Sequence, residues 1–220
     1  MEWKNDDELF ALMRSQLYTA IVGDVMDTRG RHHQFLPARC RPLRENMVVA
    51  GRAMPVLEAD VFQEPEPPFG LMLEALDSLE PNDVYLAAGC STRFALWGEL
   101  MSTAARARGA TGAVMAGYAR DTRGIEAMDF PVFCYGSYAQ DQRVRGQVIA
   151  YRVPLEIDGV LVRPGDILFG DVDGVLSVPR EIEVSVMSEA IERSREEKKA
   201  RQELAVGRLA TDVFKKYGIL

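Results

Sequence analysis

The chain has 220 residues, 47% of them apolar and 27% charged, with 33 acidic against 26 basic side chains and a formal net charge of −7. That length suits one core and leaves no room for two full domains, and the acidic balance argues against a nucleic-acid binder. No apolar run is long enough for a membrane span, and the opening Met-Glu-Trp-Lys stretch lacks the apolar region of a secretory signal, so a soluble, reduced, cytoplasmic protein is the expectation.

Residues 6–18 predict an amphipathic helix with acids in its first turn. Thr19 is placed as the cap of a second short helix running through Met26 and stopping near Gly30. Residues 46–58 predict a strand interrupted by Gly51 and ended near Pro55. The proline-rich stretch 63–70 reads as an exposed loop rather than a linker, since neither flank is large enough to fold alone. A helix at 71–79 leads into a strand at 83–88, and a helix over 98–109, stopped by glycine, leads into a strand at 111–116. Beyond Pro131 come short β segments divided by Gly, Pro and Asp turns, as far as Pro179. A long helix over about 180–204 and a tail close the chain. The class is α/β with a β-rich C-terminal half.

Scarce residues exclude several chemistries. The two histidines are the adjacent pair His32–His33, whose rings diverge in either regular structure, so a solvated loop pair is expected rather than a shared metal site. The five lysines are Lys4, Lys198, Lys199, Lys215 and Lys216; residues 5–197 offer none for a buried Schiff base. Cys40, Cys90 and Cys134 are odd in number and far apart, which gives neither a disulfide framework nor a metal clip. No Gly-Lys pair or GxGxxG loop is present to cradle phosphate. The methionines at 26, 54, 72, 101, 115 and 187 are expected to fill the core.

Residues 83–121 form one strand–helix–strand unit. In such a crossover the helix starts beyond the carboxyl end of the first strand, and the return strand ends at the same edge. Glu99, at the helix start, and Arg120 with Asp121, just past the return strand, are therefore expected to meet. The amides of Gly98, Glu99, Leu100 and Met101 would be open donors at a helix N-terminus. Arg120 adds a planar fork for a carboxylate and a neighbouring keto oxygen. Asp121 and Glu99 are hard oxygen ligands, sufficient for a largely hydrated Mg²⁺ or Mn²⁺. Spacing alone also admits a plainer reading, in which Glu99 balances a helix dipole and the Arg-Asp pair sits in a surface turn. Thr19 and Asp24 are similarly divided between cap and site.

These same residues resemble a known family. Trp97, Gly98 and Glu99, followed by Gly109 and then Gly117 through Asp121, look like the acid–x20–Arg-Asp signature of the RraA-like family, which includes class II 4-hydroxy-4-methyl-2-oxoglutarate (HMG) aldolases and the regulator of ribonuclease activity A. Thr19 to Asp24 resembles its Thr-x4-Asp opening, and Val49 to Gly51 its Val-Ala-Gly strand. Pro164-Gly-Asp166, Gly170 to Val175 and Pro179 resemble its PGD…D-x-DGV segment, and Lys216 to Leu220 its C-terminus. The resemblance implies a single RraA-like domain over 1–220: a swivelling β/β/α domain of layered sheets with a central βαβ unit and a C-terminal helix from about 180.

Carried over by position, it implies that Asp121 is the direct metal ligand and that Arg120 binds the pyruvyl oxygens. Gly98, Glu99, Leu100 and Met101 would cradle the substrate, with Glu99 orienting or activating a water as base; many relatives carry Asp where Glu99 stands. A neighbouring subunit's carboxylate would complete the site, for which Glu196 or Glu197 is the loose match; the charged run Glu192–Glu203 is otherwise an ordinary solvated face. The implied activity is metal-dependent cleavage of a 4-hydroxy-2-oxo acid to pyruvate, with oxaloacetate decarboxylation. The implied cofactor is Mg²⁺, with Mn²⁺ and Co²⁺ as alternatives, and the implied assembly is a homotrimer or homohexamer. The other implied role is a non-catalytic regulator of ribonuclease E type, docking its acidic surface on a basic partner. A methyltransferase label once attached to this family finds no glycine-rich loop here.

Overall fold

A computed structural model describes residues 3–219. The expectations for Met1, Glu2 and Leu220 lie outside the described residues. In chain order the first half comprises α1 (Asp6–Gln16), α2 (Thr19–Thr28), β1 (Arg41–Pro42), β2 (Val49–Asp60), α3 (Met72–Asp77), β3 (Asp83–Ala88), β4 (Ala95–Trp97) and α4 (Glu99–Ala107). Then follow β5 (Gly112–Met115), β6 (Tyr118–Ala119), α5 (Thr122–Ala127), β7 (Val132–Cys134) and β8 (Gly146–Tyr151). The chain ends with β9 (Leu155–Ile157), β10 (Val160–Val162), β11 (Ile167–Asp171), β12 (Gly174–Val178), α6 (Glu183–Ala205) and α7 (Ala210–Tyr217).

The main sheet runs in the order β1-β7-β5-β3-β2-β11-β12, with β8 on the far half of β2. Strands β2, β3, β5 and β7 are parallel, and β11 and β12 join antiparallel. Residues 34–43 nearly close it. Leu36 N donates to Val175 O at 2.8 Å and Ser177 N to Gln34 O at 2.9 Å, while Arg41 and Pro42 pair with β7 at the other end of the sheet.

Alternation along β3 shows how the layers form. Val84, Leu86 and Ala88 face inward with Val49, Val114, Phe133 and Leu168, and the β9–β10 hairpin plugs that interior. Tyr85 and Ala87 face outward onto the layer of α3, α4 and α5. The outer face of β11 and β12 packs on α1, α2 and α6 through Phe10, Met13, Ile21, Met187 and Ile191. Each such buried side chain contributes roughly 1.5–3 kcal/mol.

Several expectations are corrected. Thr19 does not cap α2; Tyr18 holds the cap position without a side-chain bond. Thr19 instead donates to Asp171, its amide at 2.8 Å and its hydroxyl at 2.7 Å. Strand β2 continues through Gly51 and Pro55. Pro55 sits where β2 exchanges partners on one side, β11 pairing with 49–52 and β8 with 56–60. Its carbonyl accepts from Arg152 N at 2.7 Å, so its ring nitrogen faces the gap between those strands, where no ladder donor is needed. The expected tail is helix α7 as far as Tyr217, and the short strands β4 and β6 lie inside the predicted strand–helix–strand unit. His32 and His33 are exposed, as expected of a solvated pair. No helix among the described residues is long and apolar enough to cross a membrane.

Candidate active site

The short strands β4 and β6 build the site. They form a parallel ladder separate from the main sheet, and Arg120 N donates to Trp97 O at 2.8 Å. The tip of α4 and the Arg120-Asp121 pair therefore leave adjacent strands in the same direction, side by side. Buried Ser102 fixes the turn between β4 and α4: its hydroxyl accepts from Trp97 Nε1 at 2.7 Å and donates to Gly98 O at 3.2 Å. Trp97 is itself held against Tyr85 and Phe130, with ring centroids 4.9 and 6.4 Å away.

Gly98 is extended, with φ −151°, a conformation open to any residue; what glycine provides there is room for the Asp121 carboxylate. A Cβ at this position would stand 2.9 Å from Asp121 Oδ2, 3.5 Å from Arg120 Cγ and 3.6 Å from Arg120 Nε. No side chain caps the first turn of α4, so its positive end faces this corner. Arg120 Nη1 lies 3.0 Å from Asp141 Oδ1 and its Nε 3.6 Å from Asp121 Oδ2. Asp121 takes the left-handed region (φ +54°) at the start of α5 and makes no capping bond there. Its carboxylate is thus turned back toward Gly98.

A cavity of about 320 Å³ opens at this corner. Gly98, Leu100, Met101, Arg120 and Asp121 line it, together with Asp141, Gln142 and apolar side chains of α3 and β4. Glu99 is not among the lining residues. Its carboxyl lies over Gly124 of α5, where an added Cβ would come within 2.3 Å of Glu99 Oε2. The first residue of α4 projects sideways toward α5, whereas residues 100, 101 and 104 share the face toward α3. Glu196 is exposed. Glu197 accepts a hydrogen bond from Tyr18 and lines a different cavity, of about 410 Å³, between α6 and α7, with Asp24 on its wall. Within one chain, then, Gly98, Leu100, Met101, Arg120 and Asp121 come together, whereas Glu196, Glu197, Thr19 and Asp24 do not join them.

Sequence reasoning missed three residues. Asp141 and Gln142 lie in the irregular stretch before β8, which has no periodicity to flag them. Glu58 had a signal, as an acid within the apolar run of β2. It is 1% exposed and accepts from Gln142 Nε2 at 2.8 Å, with its other oxygen unpartnered. Burial pushes its carboxyl up to about 8, against the lowering effect of the Gln142 bond. Gln142 thereby links the cavity wall to a buried titratable group.

Among the described residues no set of three or more His, Cys, Asp or Glu side chains encloses a metal. Asp121, half-exposed beside an open cavity, with Asp141 turned to Arg120, fits an ion that keeps most of its water, as Mg²⁺ does, and does not fit a dedicated all-protein cage.

A family profile described as "RraA-like: Aldolase/RraA" matches residues 19–177. The chain belongs to the RraA-like family. A Halalkalibacterium halodurans protein, provisionally named 4-hydroxy-4-methyl-2-oxoglutarate aldolase, is 32% identical over 176 residues, covering 78% of this chain and 77% of that one. A solved structure described among novel cellulases from gut-associated microbes is 34% identical, with TM-score 0.83 and coverage of 89% and 88%. An RraA-family protein of Streptomyces coelicolor, described as an unusual member of an RNase ES inhibitor family, shares the fold at 22% identity and TM-score 0.77, over 90% of this chain and 98% of that one. The mixed α/β fold with its nearly closed sheet and C-terminal helices is the RraA fold.

Proposed function

We propose that the chain is a divalent-metal-dependent lyase that cleaves a 4-hydroxy-2-oxo acid of the HMG type to pyruvate and decarboxylates oxaloacetate. The observation that carries this reading is the approach of Gly98 to Arg120 and Asp121, within 2.9 Å of the Asp121 carboxylate for a Cβ built on the glycine. The aldolase name of the Halalkalibacterium relative supports it.

An ion held by Asp121, with water in its other positions, would supply positive charge to stabilise the developing enolate. Arg120 presents its fork to the substrate carboxylate and keto oxygen, giving up its contact with Asp141 for theirs. The open amides of Gly98–Met101 receive the remaining carboxylate oxygen. Glu99 turns its exposed carboxylate off Gly124 and takes the proton of the C4 hydroxyl. The electron pair of the C3–C4 bond passes into the enolate, a carbonyl compound leaves, and protonation at C3 gives pyruvate; with oxaloacetate, CO₂ leaves instead. Residues 5–197, which hold the cavity described above, contain no lysine, which disfavours an imine route through a buried amine of the same chain. Glu196 or Glu197 of a second copy completes the site in a homotrimer or homohexamer.

Cleavage of a glycosidic bond fits the cavity poorly. Such chemistry needs two carboxyl groups facing each other across the bond, whereas Asp121 and Asp141 both pair with the Arg120 guanidinium. The test is pyruvate release from HMG and from oxaloacetate with Mg²⁺, repeated with EDTA. Release is expected with the metal and lost with the chelator. Release that survives EDTA, or none across several oxo acids, overturns the reading; in the latter case, binding to a basic ribonuclease segment would favour the regulator.

A further inference from the structure

Behind the cavity lies a buried pair that the chemistry above leaves unused. Glu58 and Gln142 are 1% and 4% exposed and meet inside one chain, Gln142 Nε2 donating to Glu58 Oε2 at 2.8 Å. The pair is therefore complete without a second copy. Gln142 also lines the cavity, and its chain neighbour Asp141 lies 3.0 Å from Arg120 Nη1. The backbone at Gln142 is fastened too, its carbonyl accepting from Arg145 N at 2.6 Å and Gly146 N at 2.9 Å. Glu58 Oε1 and the Tyr85 hydroxyl are both buried without a hydrogen-bond partner. A buried acid with one donor is costly, and here that donor is part of the cavity wall.

We propose that Glu58 is a positioning residue for the anion-binding arginine: by holding Gln142 it fixes Asp141, and Asp141 aims Arg120 at the cavity until substrate takes its place. This rests on the reading above, in which Arg120 receives the substrate carboxylate, and adds to it a group that touches no substrate. The pair holds while Glu58 is neutral. Tyr85 on β3 and Cys90 just beyond it are the titratable groups facing it, and β8 sets Val148 opposite it; none is a cation. An ionised Glu58 would have one donor and no counter-charge, and would turn or draw in water, taking Gln142 with it. Burial pushes its carboxyl up to about 8, so this change falls on the alkaline side of neutrality. The same burial pushes Cys90 up to about 12 and Tyr85 well above its ordinary value, so neither titrates in that window.

The experiment titrates the full chain calorimetrically with pyruvate in the presence of Mg²⁺, beside the assay of pyruvate release from HMG and oxaloacetate. Glu58→Met removes the acceptor and leaves Gln142 Nε2 unpaired. Pyruvate should then bind about tenfold more weakly at pH 7, and KM rise with it, since a lost supporting contact misplaces the group that meets the ligand. Glu58→Gln keeps an acceptor oxygen and should bind within about twofold of wild type. Wild-type affinity should fall about tenfold between pH 7 and pH 9, whereas that of Glu58→Gln should hold. A merely structural Glu58 would lower the folded fraction, and kcat with it, while KM and pyruvate affinity stay put. Unmoved affinity in Glu58→Met, a flat wild-type profile, or an equal alkaline fall in Glu58→Gln overturns the inference. Should Glu58→Met not fold, the pH comparison of wild type with Glu58→Gln decides alone. Pyruvate bound with this pH dependence but released from neither HMG nor oxaloacetate overturns the lyase reading and leaves the inference standing; no pyruvate bound by the wild type overturns both.

Discussion

Asp121 and Asp171 each sit at the end of a short strand, and the fold treats them in opposite ways. Asp171, closing β11, is buried and accepts three hydrogen bonds, from the Thr19 amide at 2.8 Å, the Thr19 hydroxyl at 2.7 Å and the Asp173 amide at 2.9 Å. Those bonds fasten the start of α2 to the sheet. Asp121, just past β6, keeps its side chain 49% exposed, caps nothing on α5 and has Arg120 Nε at 3.6 Å. A carboxylate whose lone pairs are met by local donors is an anchor. One held half-open in left-handed backbone beside a guanidinium is available to a ligand. Both belong to motifs that carry the family resemblance, so the motif alone does not separate structure from chemistry; the donors around each carboxylate do.

The sharpest way to break this contrast is to remove each group in turn. Arg120→Ala or Asp121→Asn should lower pyruvate release by about a thousandfold, on the order of 4 kcal/mol of transition-state stabilisation, and leave the urea midpoint nearly unchanged. Asp171→Asn should do the reverse. Its amide group would face donors, costing about 3 kcal/mol of stability, while the folded fraction keeps its turnover. Urea melts and the pyruvate assay on the same preparations decide it. An Asp121→Asn chain that loses the stability, or an Asp171→Asn chain that loses only turnover, removes the distinction.

Glu58 is an intermediate case, buried like Asp171 but with a single donor, Gln142. Tyr85 and Cys90 are the titratable groups in electrostatic contact with it, and its carboxyl titrates near 8 because burial disfavours the charge. Between the ordinary carboxylate range and pH 8 the unfolded chain has lost this proton and the folded chain keeps it, so stability falls as pH rises. Glu58→Gln removes that dependence. From pH 6 to pH 8 the wild type should lose about 2 kcal/mol more than the variant. Parallel stability–pH curves in urea melts would mean that the buried carboxyl is already ionised.

How much of this the sequence revealed follows from the length of each signal. Strand β3 falls on its expected residues, and α4 stops at the expected glycine, because alternation and glycine termination act over several residues. The meeting of Gly98 with Arg120 and Asp121 was readable from crossover geometry. The device that enforces it was not, since β4 has three residues and β6 two, too few for any period. Pro55 reads as a strand end in the sequence because a lost donor normally ends pairing; only the exchange of partners along β2 makes it tolerable. The local context of Thr19 points to a cap, but its partner Asp171 lies 152 residues away. Asp141 was unreadable for the same reason, its importance lying wholly in its contact with Arg120. The resemblance placed Glu99 in the site by position, and the pitch of α4 turns its carboxyl aside onto α5.

The finest probe of Asp121 is its glycine neighbour. Gly98 has ordinary extended backbone, so Gly98→Ala carries no conformational penalty and should fold with near wild-type stability. The new methyl group would lie 2.9 Å from Asp121 Oδ2, and the carboxylate, being the end of a short side chain, yields more easily than the backbone. Displacing it moves the ligand oxygen relative to Arg120 and to the open amides of α4. The expected result is about a tenfold fall in kcat/KM, near 1.4 kcal/mol, partly recovered by raising the Mg²⁺ concentration, since the ligand is moved and not removed. Arg120→Ala should show no such recovery, because its loss is of substrate contact. A Gly98→Ala enzyme with wild-type kinetics would show that the close approach does not set the carboxylate's working position, and that Asp121 is held by its left-handed backbone alone.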